Sequence, residues 1–318
     1  MASCEKIIFP ASIGGQARVV GFFYPTDEAS PKGVVQICHG MAEYITRYDD
    51  VIRHFNLEGW HVAGLDMLGH GESYEANKAI GMPKGYFGKG KDAMAKTVAD
   101  IMKMHDKAKE RFGTNLPYIL YGHSMGSMVA RYIYSTPEYA SEFRGYVFAS
   151  TSAPNPAVGM GLFLSSLMCG LGQGEEEGKM LNSIAFGSYC KRIPDARTVF
   201  DWVCSDPNEV DKYISDPLCG FMFTNEGFRA MMVMMKFIQS KKAYAGAASA
   251  PALMPYGRED PVGAYGAGVE EVASALKANG HSKIRTVDYG PQRHELMREA
   301  VREQYLKDLT DFFELVVG

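Results

Sequence analysis

Ser124 stands in Gly122-His123-Ser124-Met125-Gly126, between the apolar run Pro117–Tyr121 and the helix-like stretch Ser127–Tyr134. A strand, a tight turn and a helix form the setting in which a serine is held out for nucleophilic attack. Gly122 and Gly126 have no Cβ, so the strand and helix can close around a strained serine. The same five residues also fit a plain Gly-rich turn, and a lone G-x-S-x-G does not decide between the two. A serine hydroxyl is a weak nucleophile until a base takes its proton, and a carboxylate must hold that base in one tautomer.

With a nucleophile on such an elbow, the partners follow in the order serine, acid, histidine. Two histidines follow Ser124. His281, in Asn279-Gly280-His281-Ser282, reads as a surface residue in a polar turn at the far edge of the sheet. His294 falls in the loop after the last expected strand, at the edge where Ser124 sits, and is the better base. The loop after Ala252–Tyr256 leaves that same edge and offers Glu259-Asp260-Pro261. Asp260 is the expected acid and Glu259 the alternative. Asp288 belongs to the last strand. Asp66 precedes Ser124 and reads as structuring its own loop through side-chain to backbone hydrogen bonds. An oxyanion hole needs two backbone N–H groups. Met125, just after the nucleophile, supplies one. Met41, in His39-Gly40-Met41 after an early strand, supplies the other.

The elements that must position these residues are legible in outline. Arg18–Tyr24, Gly33–Cys38, Trp60–Leu65, Pro117–Tyr121, Tyr146–Ala149, Ala252–Tyr256 and Ile284–Tyr289 read as strands. Asp49–Glu58, Asp92–Phe112, Val269–Ala278 and Glu295–Val317 read as helices. The alternation implies right-handed β-α-β crossovers and a mostly parallel sheet flanked by helices. Between Thr151 and Ala248 the rhythm breaks into helical patches separated by Gly-rich or Asp-Pro turns. The expected organisation is an α/β core made of 1–150 and 249–318, interrupted after the sixth strand by a helical cap at 151–248.

Bulk composition narrows the partners. The 318 residues are 46% hydrophobic and 22% charged, with a net charge of −4, and no basic patch suggests nucleic acid. The six cysteines show no C-x-x-C pair and no metal-ligand spacing, so neither a metal nor a cofactor is expected, and they read as buried thiols in a reducing, cytoplasmic setting. Met1–Pro10 carries Glu5 and Lys6 and has no apolar signal core. No apolar run is long enough for a transmembrane helix. Gly145–Gly174 holds no charged residue; its most apolar part, Val158–Leu171, fits a buried or membrane-surface segment. Glu175-Glu176-Glu177 reads as a solvated loop.

His39-Gly40-Met41-Ala42-Glu43-Tyr44 with Arg47-Tyr48, Asp66–Ser73, and Gly122–Ser127 together resemble the monoacylglycerol lipase and lysophospholipase group of α/β-hydrolases, which overlaps the serine aminopeptidase hydrolases. The resemblance extends to Glu259-Asp260-Pro261 and Arg293-His294-Glu295. It implies an α/β-hydrolase fold with a cap, a triad of Ser124, Asp260 and His294, oxyanion donors at Met41 and Met125, and a small ester or lipid substrate. A peptidase on the same triad and a non-catalytic binding protein of the same fold are the rival readings. Within the cap, Met222, Met231, Met232, Met234 and Met235 with Phe221, Phe223, Phe228 and Phe237 suit either an acyl chain or ordinary helix packing. Asp206 and Asp216 are weak candidates for a polar head group.

Overall fold

The computed structural model describes residues 3–318; Met1 and Ala2, at the head of the segment read as lacking a signal core, lie outside the described residues. The chain runs β1 (Glu5–Pro10), β2 (Arg18–Tyr24), β3 (Gly33–Cys38), α1 (Asp49–Leu57), β4 (Trp60–Asp66), α2 (Gly71–Asn77) and α3 (Ala93–Phe112). It continues through β5 (Tyr118–His123), α4 (Met125–Tyr134), α5 (Pro137–Ala140) and β6 (Gly145–Ala149). Five helices follow: α6 (Val158–Gly170), α7 (Lys179–Phe186), α8 (Pro207–Ser215), α9 (Asn225–Ile238) and α10 (Lys241–Ala245). β7 (Ala252–Tyr256), α11 (Ala267–Ala278), β8 (Ile284–Asp288) and α12 (Arg302–Val317) complete it. This is an α/β-hydrolase fold.

The eight strands form one sheet in the order β1-β2-β4-β3-β5-β6-β7-β8. β1 and β2 pair antiparallel, as do β2 and β4, and every pairing from β4 to β8 is parallel. β3 and β5 are buried at every position, as expected of parallel strands covered on both faces. One face packs Val98, Ile101, Val129 and Ile133 of α3 and α4 against the sheet. The other packs Phe55 of α1 and Phe313 of α12, with their rings 5.1 Å apart. The chain steps from β3 outward to β4 and then returns to β5 on β3's other side. A crevice at the carboxyl ends of β3 and β5 is where such a reversal places a ligand site.

Four details depart from the sequence reading. Glu5–Pro10 is an edge strand and Gly71–Asn77 a helix, where the sequence reading assigns no element. The last helix does not begin at Glu295: a single 3-10 turn spans Leu296–Arg298 and the α-helix starts at Arg302. The reason is side-chain pairing, since Glu295 is bound to Arg47 and Glu299 to the Ser205 N–H at 2.8 Å, both pinning the backbone before the helix begins. His281 is buried rather than superficial, its ring nitrogens facing the carbonyls of Ala248 (3.0 Å) and Tyr244 (2.8 Å), so it fastens α10 to the turn before β8.

Helix α6 is turned inside out. Among its buried residues are only Val158 and Ser165, while Met160, Phe163 and Leu167 are 62%, 63% and 47% exposed. Among the described residues no helix is long and apolar enough to cross a membrane.

Candidate active site

Ser124 leaves β5 with φ 54° and ψ −120°, a left-handed conformation costly for a side-chain-bearing residue. Its N–H is tied to the Ala149 carbonyl at 3.0 Å, and its carbonyl accepts from the Ser127 N–H at 2.9 Å. The flanking glycines are demanded by contact. A Cβ on Gly126 would lie 2.0 Å from the Cys38 carbonyl oxygen, and one on Gly122 would lie 2.3 Å from that of Gly126. The start of α4, and with it the Met125 N–H, is thus pressed against the end of β3.

The loop leaving β3 lies alongside. A Cβ on Gly40 would come within 3.2 Å of Ser124 Cβ. Among the described residues the N–H of the next residue, Met41, meets no protein acceptor. It is therefore free to donate to an incoming oxygen.

Asp260 and His294 meet as the sequence order suggested. His294 Nδ1 is 2.9 Å from Asp260 Oδ2, and both side chains are buried. Asp260 Oδ1 accepts from the Val262 N–H at 2.9 Å, which orients the carboxylate. His294 Nε2 is buried and has no protein partner among the described residues. The carbonyl of His294 accepts from Ser150 Oγ at 2.7 Å, and its ring lies 4.9 Å from that of His123, the neighbour of Ser124. No hydrogen bond joins Ser124 Oγ to His294 Nε2; catalytic contacts of this kind often tighten only with substrate. Glu259 is exposed, with Arg293 3.8 Å away. Asp66 holds its loop by accepting from the Ile45 and Glu72 N–H groups, each at 2.7 Å. Burial pushes its carboxyl up to about 7 against those two bonds. Asp288 pairs with Arg258 at the edge of the sheet.

Beneath the site lies a buried ionic cluster. Glu43 Oε1 accepts from the Gly40 N–H at 2.6 Å and the Tyr48 hydroxyl at 2.7 Å, and lies 3.2 Å from His123 Nδ1. Arg47 bonds Glu43 at 2.8 Å and grips Glu295 at 2.5 and 2.7 Å, one bond to each carboxylate oxygen. Burial alone would raise the Glu43 carboxyl, yet His123 and Arg47 hold it well below the usual carboxylate range. Burial would likewise lower the His123 imidazole, but Glu43 reverses this and raises it. One arginine therefore links the Gly40 loop to the His294 loop. None of these groups was assigned a role from sequence. The available signal was their place within one to seven residues of Met41, Ser124 and His294, inside motifs otherwise read as backbone turns.

The segment between β6 and β7 touches the site at two places. Arg293 donates to the carbonyls of Asp201 (2.8 Å) and Cys204 (2.9 Å), the Glu295 N–H donates to Val203, and the Trp202 ring lies 5.0 Å from that of His294. The Ala42 carbonyl accepts from the Gly220 N–H at 3.0 Å and the Tyr213 hydroxyl at 3.3 Å, and the Tyr44 hydroxyl donates to Asp216 at 2.5 Å. Asp206 caps α8 through the Asn208 N–H. Asp206 and Asp216 are thus occupied with structure rather than aimed at a head group. Met231, Met234, Met235, Phe223 and Phe228 are buried in the main core, while Phe221, Met222, Met232 and Phe237 are half-buried.

Known proteins match most or all of this chain. A monoacylglycerol lipase of Mycolicibacterium smegmatis is 28% identical over 305 residues, covering 95% of this chain and 94% of that one. A thermostable carboxyl esterase from Bacillus coagulans, solved with glycerol, superposes with a TM-score of 0.91 at 27% identity, covering 100% of both chains. A monoglyceride lipase of Saccharomyces cerevisiae shares the fold, with a TM-score of 0.70 at 15% identity, covering 96% of this chain and 94% of that one. The family model described as serine aminopeptidase, S33, matches residues 29–301, and the chain belongs to that family of α/β-hydrolases.

Proposed function

We propose that the protein is a serine carboxylic ester hydrolase that works through an acyl-enzyme, with monoacylglycerols, lysophospholipids and related small lipid esters as its substrates. The observation that carries this reading is the buried His294–Asp260 pair, with Nε2 unpartnered, at the same sheet edge as the strained Ser124. Ser124 Oγ attacks the ester carbonyl carbon while His294 Nε2 takes its proton. The carbonyl oxygen becomes an oxyanion, held by the Met41 and Met125 N–H groups. The bond to the alcohol then breaks as His294 returns the proton to the leaving oxygen. Water, deprotonated by His294, attacks the acyl carbon; the bond from that carbon to Ser124 Oγ then breaks as His294 returns the proton to Oγ, and the fatty acid leaves. Asp260 keeps the proton of neutral His294 on Nδ1 and stabilises the imidazolium that forms.

The kinship with a monoacylglycerol lipase and a carboxyl esterase supports the choice of esters over peptides. Residues 151–248 act as a cap over a core made of 1–150 and 249–318. The exposed, charge-free face of α6 suits brief contact with a lipid surface. Six unpaired cysteines suit a cytoplasmic setting.

A panel of esters graded by acyl length and head group, with aminoacyl-p-nitroanilides alongside, tests the reading. Turnover of medium or long acyl glycerols or lysophospholipids, with the anilides untouched, is expected. Cleavage of the anilides alone would favour a peptidase. Phe163→Asp with Leu167→Asp should slow hydrolysis of esters in vesicles while sparing soluble esters. Equal effects on both would remove the lipid-surface role.

A further inference from the structure

The Met41 N–H belongs to the same peptide unit as the Gly40 carbonyl. In a trans peptide the C=O and N–H point in opposite directions, so whatever holds one aims the other. Two side chains grip this turn. Glu43 takes the Gly40 N–H at 2.6 Å, which fixes the preceding peptide. His39 Nδ1 lies 2.8 Å from the Gly40 carbonyl oxygen, which is on the Met41 peptide itself.

The tautomer of His39 follows from its other contact. The Met67 N–H donates to His39 Nε2 at 2.9 Å. A backbone N–H can only donate, so Nε2 carries no proton. The single proton of the neutral ring is then on Nδ1 and is given to the Gly40 carbonyl. Met67 begins the loop after β4, next door to β3 in the sheet. The ring of His39 is fully buried, 5.1 Å from that of His70, and has little room to turn.

We propose that His39 is a positioning residue for ester hydrolysis: held by the Met67 N–H, it clamps the Gly40 carbonyl and thereby aims the Met41 N–H at the oxyanion. The hydrogen bond to the carbonyl also polarises that peptide and strengthens its N–H as a donor, as in any chain of hydrogen bonds. Burial lowers the His39 imidazole, which keeps the ring neutral and its Nε2 an acceptor. This role rests on the serine-hydrolase reading above, in which Met41 is an oxyanion donor.

Turnover of a soluble p-nitrophenyl ester, and inhibition by a boronic acid that forms a tetrahedral serine adduct, are measured for four proteins. These are wild type, His39→Asn, His39→Gln and Ser124→Ala. Asn places a donor where Nδ1 stood; Gln reaches toward Met67 and leaves the Gly40 carbonyl without its donor. His39→Gln should lose roughly ten- to a hundredfold in kcat, less than loss of a whole donor. Its KM should stay within about twofold, and its affinity for the boronate should fall in parallel with kcat/KM. His39→Asn should recover most of both. His39→Gln with wild-type kcat and boronate affinity, beside an inactive Ser124→Ala, would overturn the role of His39 and leave the serine reading intact. Full turnover by Ser124→Ala would overturn that reading itself. Nitrogen NMR of the wild-type imidazoles gives a check that needs no variant to fold. A neutral His39 protonated on Nδ1 is expected, and protonation on Nε2 contradicts the proposal.

Discussion

Arg47 is the side chain on which two halves of the site depend. It sits between two buried carboxylates, Glu43 and Glu295, that fix the Gly40 turn and the residue after His294. Replacing it with Met would leave both acids buried without their cation. Breaking a buried pair in this way costs about 3–5 kcal/mol. Urea unfolding of Arg47→Met should show a loss of that size together with a fall in kcat, because both loops lose their tie; a loss under 1 kcal/mol would mean the cluster is dispensable. The sequence could not reveal this link, since Arg47 and Glu295 are 248 positions apart and only the fold brings them together. Ser124, Asp260 and His294 were legible for the opposite reason. Each follows a recognisable strand, and parallel strands deliver their following loops to one edge.

At the level of elements, the segment between β6 and β7 divides into two mechanical parts. Its stretch from Phe200 to Gly220 is bound to the His294 and Gly40 loops by Arg293, Glu295, Ala42 and Tyr44. Helix α6 packs on α9, and the turn after it is tied to the start of α9 by the Gly174 and Glu176 carbonyls, whereas Lys191–Ala196 is largely exposed and its backbone bonds stay local. Limited proteolysis should therefore nick first between Lys191 and Ala196 and leave Phe200–Gly220 intact; early cuts in the second stretch would contradict this division. The strands and long helices here were read within a residue or two wherever apolar periodicity was strong, as in Gly33–Cys38 and Ala252–Tyr256. β1 escaped because Glu5 and Lys6 face water at a sheet edge, and α2 because Gly71–Asn77 is short and carries little apolar periodicity. The helix expected from Glu295 failed because buried ion pairs override local propensity there. His281 looked superficial beside Gly280 and Ser282, and only the return of the chain after α10 buries it.

Across the whole molecule, burial of histidines sets a dependence on pH. His70 lies among His39, Phe87, Phe221 and Phe223, and burial, with His39 nearby, lowers it to about 3. Burial and Lys109 lower His105 to about 4. In both, the folded value lies below the unfolded one of about 6.5. The unfolded chain therefore binds more protons at these two sites below that pH, and each removes stability as pH drops from about 6.5 toward 4, against the raised Asp66 carboxyl and His123 imidazole, which hold protons in the fold. Relative to wild type, His70→Phe, which also removes the unpartnered Nε2, should change the pH slope of stability in urea unfolding over that window by up to one proton. An unchanged slope would show that His70 is protonated in the folded protein. The proposed role of Ser124 as nucleophile is the point on which the whole assignment rests. The most direct measurement is labelling with a fluorophosphonate followed by peptide mapping, while ester turnover is monitored. A single adduct on Ser124, formed as turnover disappears and absent in Ser124→Ala, is the predicted result; an adduct on another residue, or turnover that persists in Ser124→Ala, would contradict it.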